Sequence, residues 1–595
     1  MVSFGRPSVI LDVGVKLRHL LSRFSQKPPI LLACVSTGVG IWFVGLNQIE
    51  PSNTRWLRPT PGRLDHAVAQ LNWEFLRWAP NFQWPLTSLS NLGTGWNTVY
   101  VPFSSGSLFG IFLKYLDPIL PREFQFLGIW LIFSFAMLGY SAGKLMGQIA
   151  SDCSLQIVSG LLFIASPVVY YRVGVLGHFE LSAHWLLLLS FYFVLNQDTK
   201  LRHWNLLIII SLAVNIYLAA MVVVIFLGDM IYGIGQFRSR INRLHKLLIG
   251  ILTCAISMWV FGYFVYSGNS QGLGFFRLNG ASLLYSQYSL AGVIEGSYSR
   301  FFGGLGVYDQ RPFIGFEREG FAYLGLGMIL GCVVVSLVVL RHSPKVPSAQ
   351  RRGYVVIFSC AFILLLNAFS PRLAFGRREL IAIPVPREMY EFRQIFRTAE
   401  RFVWPFYYFI FLLVVLVIAR SIVSKRTQIL LIVGILLVQV WDISGGVLVS
   451  RNVLRSNSDV PLLEVSIWDQ LVDGKDSVTF FPVFDFIDDE QSLEIESWRN
   501  ETKFFSILEY AADRRLTTNF SVTGRPVTEI VRDENLRVEA ALESGKLDAS
   551  TLYILPRIER WTSLKNKLRD QARFVSLDGF FIIEPLLEEQ RQSNP

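Results

Sequence analysis

The sequence predicts a mainly α-helical, polytopic membrane protein with a small α/β domain at its C-terminal end. Of its 595 residues, 52% are hydrophobic and only 17% are charged, and the mean hydropathy is +0.41. A water-soluble core cannot absorb that much apolar surface, so soluble classes are excluded. Apolar windows without charge recur as far as residue 440, and most are long enough to cross a hydrocarbon layer of roughly 30 Å.

Nine of these windows are predicted to cross the membrane once each. They are 30–46, 124–146, 154–170, 181–195, 247–266, 320–340, 354–369, 402–418 and 429–440. A tenth stretch, 204–235, is too long for one span and short for two.

Basic loops give the orientation of the spans. Four Lys and Arg residues within 16–27 precede the first window, so the positive-inside rule places the N-terminus in the cytoplasm. Basic residues also flank 204–235 at Arg202 and Arg240, and both flanks are predicted to be cytoplasmic. The stretch must therefore cross twice, as two short helices that turn near Asn215, which gives about eleven spans with the C-terminus outside.

This orientation divides the chain into a membrane domain, 1–448, and an extracytoplasmic domain, 449–595. Three long loops of the membrane domain fall on the extracytoplasmic face, at 47–123, 268–319 and 371–401. The first of them contains a short apolar segment, 108–116, that we expect to lie on the bilayer surface.

The tail domain alternates charged and apolar residues and has no run of span length. Its patterns predict strands at 478–483 and 551–555, helices at 504–514 and 529–542, and a hairpin at 573–584 that turns at Asp578-Gly579. These elements indicate a small α/β fold.

Charge and cysteine content exclude several other classes. The net charge of +10 comes largely from the predicted cytoplasmic loops, so it indicates contact with anionic membrane lipid and no nucleic-acid partner. The five cysteines form neither a disulfide framework nor a zinc pattern. No Walker loop or dinucleotide fingerprint occurs, hence no motif for ATP-driven transport.

Asp65 is the first candidate for a catalytic residue. It lies in the hydrophilic stretch beyond the first window, and Trp73, Arg77 and Trp84 follow it. A carboxylate at the membrane surface can act as a general base. The alternative is that Asp65 only caps a helix that starts near Ala67, although capping does not explain the aromatic and basic residues around it.

A second polar cluster, His178, Glu180 and His184, stands at the predicted outer mouth of window 181–195. Ionisable groups are costly at such a depth and are usually functional. Glu180 and His184 are four residues apart and are predicted to share a helical face, which His178 does not share. The cluster could contact substrate, form a structural hydrogen-bonded pair or help to bind a divalent metal, for which only two groups converge.

Arg397 and Arg401 lead into window 402–418 from the outside. A guanidinium group donates two parallel hydrogen bonds and stays charged when partly desolvated, so it is suited to a phosphate or diphosphate. The alternative is that both residues anchor the span at headgroup level, beside Trp404.

Taken in order, these motifs resemble an uncharacterised family of large bacterial inner-membrane proteins. That family is similar in architecture, and in its loop aspartate, to the GT-C class of polyprenyl-phosphate-sugar-dependent glycosyltransferases. The resemblance covers most of the chain, including the tail. It rests on Leu64-Asp65-His66, Asn72-Trp73, Arg77, Trp84-Pro85-Leu86, 124–130, 178–185, 319–327 and 396–405.

The resemblance implies an inner-membrane enzyme that moves a sugar from a polyprenyl-phosphate donor to a glycan or lipid acceptor outside the cytoplasm. Asp65 would be the base, and Arg397 and Arg401 would hold the departing phosphate. The residues implied to bind substrate around them are His66, His178, Glu180 and His184.

One departure from the family concerns a second acid. Family members carry another acidic residue before the short apolar segment, where this chain reads 100–107 without one. That loss weakens the case for a two-carboxylate or metal-assisted mechanism, and Asp117 lies further along the chain.

Two non-enzymatic alternatives stay open, an export or assembly component for an envelope glycan and a structural anchor for the tail. The spans are nearly free of charge at mid-depth, which favours chemistry at the surface over passage.

Overall fold

A computed structural model of the protein describes most of the chain. The described residues are 27–58, 65–93, 98–101, 107–196, 198–234, 240–265, 298–304, 320–341, 344, 346–369, 372–375, 378–382, 396, 398–456, 463–482, 503–521 and 528–586. Loop 268–319 is therefore described only at its residues 298–304.

Sixteen α-helices and one short hairpin make up the described part of the chain before residue 457. The helices are α1 Pro28–Val44, α2 Leu46–Ile49, α3 Asp65–Trp78, α4 Ser107–Lys114, α5 Leu127–Met146, α6 Cys153–Ile164, α7 Pro167–Gly174, α8 Trp185–Leu195, α9 Leu201–Val214, α10 Ile216–Ile234, α11 Arg240–Val260, α12 Arg300–Gly304, α13 Leu326–Arg341, α14 Ser348–Phe369, α15 Trp404–Ser421 and α16 Lys425–Arg455. The hairpin pairs β1 Arg372–Phe375 with β2 Arg378–Ala382. Turns of 3₁₀-helix lie at Arg55–Leu57, Asp117–Ile119, Glu180–Ser182 and Ala399–Val403.

Several of these helices could cross a membrane. Among the described residues six are long and apolar enough, and five shorter helices are also apolar. Large apolar side chains point outward, such as Leu248 and Leu337, which are 65% and 59% exposed. Both observations are consistent with a membrane protein, while the total of about eleven spans remains a prediction. The six long segments are Leu127–Met146, Cys153–Gly174, Ile241–Val260, Gln350–Phe369, Ala399–Ser421 and Lys425–Arg455.

The long stretch 204–235 is broken where the sequence predicts. Helix α9 ends at Val214 and α10 begins at Ile216, with Asn215 extended between them. The side-chain oxygen of Asn215 accepts hydrogen bonds from the backbone N–H groups of Tyr217 and Leu218 at 2.8 and 3.4 Å. Asparagine thus supplies the acceptor that the first turn of a helix lacks. The predicted break into two helices near Asn215 is confirmed, while the crossing of the membrane by both of them remains a prediction.

Helix α16 continues well beyond the window predicted for it. The prediction ended at Val440, before Asp442, but the helix runs to Arg455. Asp442 is fully buried, and its carboxylate accepts hydrogen bonds from other segments. A buried charge is tolerated when such donors surround it, so the acidic residue does not end the helix. The donors are Ser299 Oγ at 2.5 Å, Phe301 N at 3.2 Å, Tyr323 Oη at 2.5 Å and Leu326 N at 3.0 Å.

The helix ends gather on two faces of the bundle. One face, which we call the site face, contains the C-terminal ends of α1, α7 and α16 and the N-terminal ends of α3, α8 and α15. The opposite face contains ion pairs between helix ends, including Arg352 Nη2 with Asp229 Oδ1 at 2.8 Å and Arg243 with the same carboxylate at 3.9 Å. Arg243 and Arg352 thus lie away from the site face. Which face is cytoplasmic remains a prediction.

The C-terminal part folds around a five-stranded sheet. Its elements are α17 Val465–Leu471, β3 Ser477–Phe480, α18 Lys503–Asp513, β4 Thr517–Thr518, α19 Thr528–Ser544, β5 Thr551–Leu555, α20 Ile558–Lys567, β6 Ala572–Leu577 and β7 Phe580–Pro585. The strand order is β4-β3-β5-β7-β6. Strand β3 pairs in parallel with β4 and β5, and β7 pairs antiparallel with β5 and β6. The predicted strands, helices and hairpin are present, while α17, α20 and β4 were not predicted.

This domain docks on the site face of the helix bundle. Arg122 Nε and Nη2 donate to the carboxylate of Asp513 at 2.5 and 2.9 Å. The backbone N–H of Thr518 donates to the carbonyl oxygen of Asn91 at 3.1 Å. At the end of α16, Arg455 Nε donates to the carbonyl oxygen of Val44 at 3.1 Å, which caps the C-terminal end of α1.

Candidate functional site

The centre of the site is a contact between Asp65 and His178. Asp65 is the first residue of α3, and His178 lies in the loop between α7 and α8. His178 Nε2 is 2.5 Å from Asp65 Oδ2. The Asp65 side chain is 61% exposed and that of His178 only 9%, so the carboxylate faces the open side of the contact. A negative side chain in the first turn of a helix is also favoured by the helix dipole.

Arg172 fixes the tautomer of His178. This fully buried arginine, near the end of α7, places Nη1 at 3.4 Å from His178 Nδ1. A guanidinium group only donates hydrogen bonds, so Nδ1 must be the acceptor and Nε2 must carry the proton. His178 therefore donates from Nε2–H to the Asp65 carboxylate. The backbone of the same arginine also holds the loop, because His178 N donates to the Arg172 carbonyl oxygen at 3.1 Å.

The contacts continue from Arg172 into the bundle. The Arg172 guanidinium lies 5.0 Å from the centroid of the Trp404 indole, a cation–π contact at the start of α15. Trp404 also packs on His184, with ring centroids 4.6 Å apart. His184 Nδ1 is 2.9 Å from Tyr408 Oη, one turn further along α15. The five side chains Asp65, His178, Arg172, Trp404 and His184 thus form one continuous chain of contacts.

Aromatic residues hold the loop that carries His178. Phe179 stacks on Trp56 with ring centroids 5.4 Å apart, and its carbonyl oxygen accepts from Trp130 Nε1 at 2.9 Å. His66, next to Asp65, is buried and lies 6.0 Å from the Phe179 ring. Its Nε2 is 3.1 Å from the Arg58 carbonyl oxygen. His66 therefore joins the start of α3 to the preceding segment.

The predicted helical pairing of Glu180 with His184 is wrong. Glu180 belongs to a 3₁₀ turn, Glu180–Ser182, and α8 begins only at Trp185. Gly177, at φ +71°, starts the turn away from α7 in a conformation that favours glycine. The two side chains therefore do not stand one turn apart on a single helix. His184 instead meets Tyr408 on another helix.

Of the two arginines predicted to bind phosphate, the structure describes only Arg401. Arg397 lies outside the described residues. The Arg401 guanidinium is 4.6 Å from the Tyr217 ring centroid, and Tyr217 Oη accepts from Thr398 Oγ1 at 2.7 Å. Glu400, beside Arg401, is fully buried in the 3₁₀ turn that leads to Trp404. The segment before α15 thus brings several charged groups to the site face.

Family models match both parts of the chain. Residues 33–444 match a model described as a domain of unknown function, DUF6311, and residues 467–585 match one described as the DUF6311 C-terminal domain. The chain belongs to the DUF6311 family. Comparison with curated proteins gives no match. Nothing in the DUF6311 match refers to GT-C glycosyltransferases, so that resemblance remains a prediction.

In this DUF6311 chain, the described residues hold no group of three or more His, Cys, Asp and Glu side chains that could bind a metal ion. Asp117, the acid that follows the short apolar helix α4, forms an ion pair with Arg77, whose Nε is 2.6 Å from Asp117 Oδ1. This pair lies towards the C-terminal end of α3, whereas Asp65 begins that helix. Asp117 therefore has a partner of its own.

Sequence reasoning missed Arg172, Tyr408 and Glu400 in this DUF6311 site. Arg172 lies two residues beyond the predicted end of window 154–170, which was closed before the charge. An arginine directly after an apolar span and close to the His178 motif was the signal that could have found it. Tyr408 gave no signal, because it is one of several aromatic residues in the first half of α15.

Proposed function

We propose that this protein is a membrane glycosyltransferase of GT-C type that moves a sugar from a polyprenyl-phosphate donor to an acceptor hydroxyl on the extracytoplasmic face. The observation that carries the proposal is the exposed Asp65 carboxylate, held at 2.5 Å by the buried imidazole of His178. A general base needs an accessible oxygen and a fixed orientation, and this contact supplies both.

In the proposed reaction, Asp65 accepts the proton of the acceptor hydroxyl. At the same time the oxygen of that hydroxyl forms the new bond to the anomeric carbon. The bond from that carbon to the donor phosphate breaks, and the phosphate leaves with the electron pair as polyprenyl phosphate. His178 keeps the carboxylate in place by donating from Nε2. Arg172 is a positioning residue, because its guanidinium group contacts the imidazole that holds Asp65.

Positive charge near the donor would stabilise the departing phosphate. Arg401, which leads into α15 at the site face, is the described candidate, and Arg397 is the second. The shared Tyr217 and Thr398 contacts hold the segment before α15 against α10. Glu180 remains a proposed substrate contact, whereas the buried His66 and His184 would support the site from within the protein. The donor lipid would enter from the outer leaflet.

Orientation completes the proposal. The site face would be extracytoplasmic, the opposite basic face cytoplasmic, and about eleven helices would cross a bacterial inner membrane. The basic residues Arg243 and Arg352 on the face away from the site support that orientation through the positive-inside rule.

The direct test is chemical. Protein purified in nanodiscs with native lipid should carry a polyprenyl-phosphate-linked sugar that mass spectrometry identifies after extraction. Adding a total glycan extract as acceptor should then release polyprenyl phosphate. If a lipid-linked sugar copurifies but no glycosidic product forms with any acceptor fraction, the export or assembly function takes the place of the enzyme.

A further inference from the structure

A large cavity lies between the helix bundle and the C-terminal domain. It is partly open to the outside and has a volume of about 840 Å³, within the range of roughly 300 to 1,000 Å³ that is usual for ligand sites, which often form where domains meet. The bundle contributes the C-terminal half of α3 and the segment around Asp117, and the domain contributes α18. Both parts of the chain are therefore needed to form it.

The cavity wall carries acidic and basic residues in equal number. Five arginines and five acids line it: Arg58, Arg77, Arg122, Arg514 and Arg515, with Glu74, Asp117, Glu123, Glu509 and Asp513. Most of these groups are fixed in ion pairs with each other, such as Arg77 with Asp117 at 2.6 Å and Arg58 with Glu509 at 3.5 Å. The wall is thus rich in hydrogen-bond donors and acceptors, and most of its charges are already balanced within pairs.

This charge pattern selects among ligand classes. A phosphate or another anion would meet the carboxylates of Glu509 and Asp513, and a cation would meet the guanidinium groups opposite them. A lipid tail would displace water from these charged groups and offer no hydrogen bond in return, which is costly. A neutral polyol can satisfy both kinds of group at once, because each hydroxyl donates to a carboxylate and accepts from an arginine.

Two further features of the wall suit a sugar. Trp78 lines the cavity with an indole ring, and aromatic rings provide flat apolar surface for the C–H faces of a sugar. Glu74, on the same helix, has its pKa raised to about 8, first by burial and then by the Glu509 carboxyl. A neutral carboxyl group at pH 7 both donates and accepts hydrogen bonds, as a sugar hydroxyl does.

From the cavity wall, we infer that this space binds a neutral saccharide segment of the acceptor glycan, an inference that rests on the proposed function. The helix α3 joins the cavity to the proposed base, because Glu74 is nine residues after Asp65, about 13 Å along the helix axis. Arg58 forms a second link between the cavity and the start of α3. Its side chain lines the cavity and its carbonyl oxygen meets His66.

Saturation-transfer NMR on the full-length protein in nanodiscs tests the inference without requiring turnover. The probes are cellotetraose and chitotetraose, with glucuronate and inorganic phosphate as charged comparators. Both neutral tetrasaccharides are expected to show saturation transfer, and the charged probes neither to bind nor to compete. Absence of transfer to both tetrasaccharides, or their displacement by phosphate, would overturn the inference.

Variants locate the binding. Thr54→Trp places an indole in the cavity and should reduce the saccharide signal at least fivefold, whereas Ser52→Trp, on an exposed neighbour outside the wall, should leave it unchanged. Trp78→Ala should also reduce the signal, with a retained cooperative thermal transition as the folding control. Equal signals for Thr54→Trp and wild type would place the saccharide elsewhere.

The same experiment separates this inference from the proposed function. Asp65 lies outside the cavity wall, so the Asp65→Asn variant should keep the wild-type saccharide signal even though it no longer forms product. Saccharide binding combined with full product from Asp65→Asn would retain the cavity as a binding site and remove the proposed base. Normal product from Thr54→Trp would overturn the cavity inference alone.

Discussion

Asp65 and His178 stand 113 positions apart in the chain and meet with His178 Nε2 at 2.5 Å from Asp65 Oδ2. The contact joins the start of α3, which lies on the site face, to the loop between α7 and α8. Because Arg172 makes the Nδ1 atom of His178 an acceptor, the imidazole donates to the carboxylate. The two residues are held together in one contact, in which the carboxylate is the exposed member.

Removing His178 should slow transfer without preventing donor binding. His178→Ala deletes one hydrogen bond to a charged group, worth about 1.5 to 3 kcal/mol, which corresponds to a loss of about ten- to a hundredfold in rate. The rate of product formation at saturating donor measures this. His245→Ala, an exposed histidine on α11, is the matched control and should have the wild-type rate. An unchanged rate for His178→Ala would mean that Asp65 needs no partner.

Reporter fusions test the orientation. A reporter after Arg240 is expected in the cytoplasm and one after Ser456, just beyond α16, outside it, because basic loops are retained on the inner side. Alkaline phosphatase and green fluorescent protein fusions give opposite signals in the two compartments. The same compartment for both fusions would contradict the proposed arrangement.

Stability should fall as the pH rises from about 4.5 to about 8. Burial first, then the charges of Glu509 and Asp513, raise the pKa of Glu74 to about 8 from its ordinary 4.5, against the opposing effects of Gln70 and Arg77. The protonated form is favoured only in the folded protein, so its contribution is complete below pH 4.5 and is lost as the pH rises through 8. The slope between these values is up to about 1.4 kcal/mol per pH unit.

Tryptophan fluorescence during heating at pH 6, 7.5 and 9 measures this effect. Glu74→Gln cannot ionise and should flatten the decline in melting temperature, whereas Glu559→Gln, on an exposed position of α20, should follow the wild type. The same steep decline in Glu74→Gln and wild type would show that other groups cause it.

Asp442 should be important for stability rather than for transfer chemistry. Asp442→Asn replaces one acceptor oxygen with an amide that faces hydrogen-bond donors such as Tyr323 Oη. Each buried donor that loses its acceptor costs about 1 to 3 kcal/mol, so the melting temperature should fall by several degrees. Asp473→Asn, at an exposed position, is the control. Equal melting temperatures would show that the carboxylate is dispensable.

The helices could be predicted well because lipid requires apolar surface along every segment that faces it. The break at Asn215 was also predictable, since the evidence was local charge and length. The end of α16 was not, because its extension past Asp442 depends on donors more than a hundred residues away. The tail strands were found from local alternation, but the sheet order depends on contacts that no window contains.

The site was predicted as separate motifs and not as an arrangement. Asp65 and His178 were each selected for their position beside an apolar span, yet nothing in the sequence indicates that they touch. Arg172 was passed over because its charge closed the predicted span. The helical pairing of Glu180 with His184 failed because a 3₁₀ turn precedes α8, which spacing alone does not reveal.

The most direct measurement is the rate of sugar transfer by Asp65→Asn at matched protein level, with wild type and Asp152→Asn assayed beside it. Asp152 caps α6 through Leu155 N, a function that asparagine also performs, so that control should be fully active. Asp65→Asn keeps the size of the side chain but cannot accept the proton, so its rate should fall by about two or more orders of magnitude while binding of the lipid-linked sugar is retained. A wild-type rate for Asp65→Asn would contradict its assignment as the base.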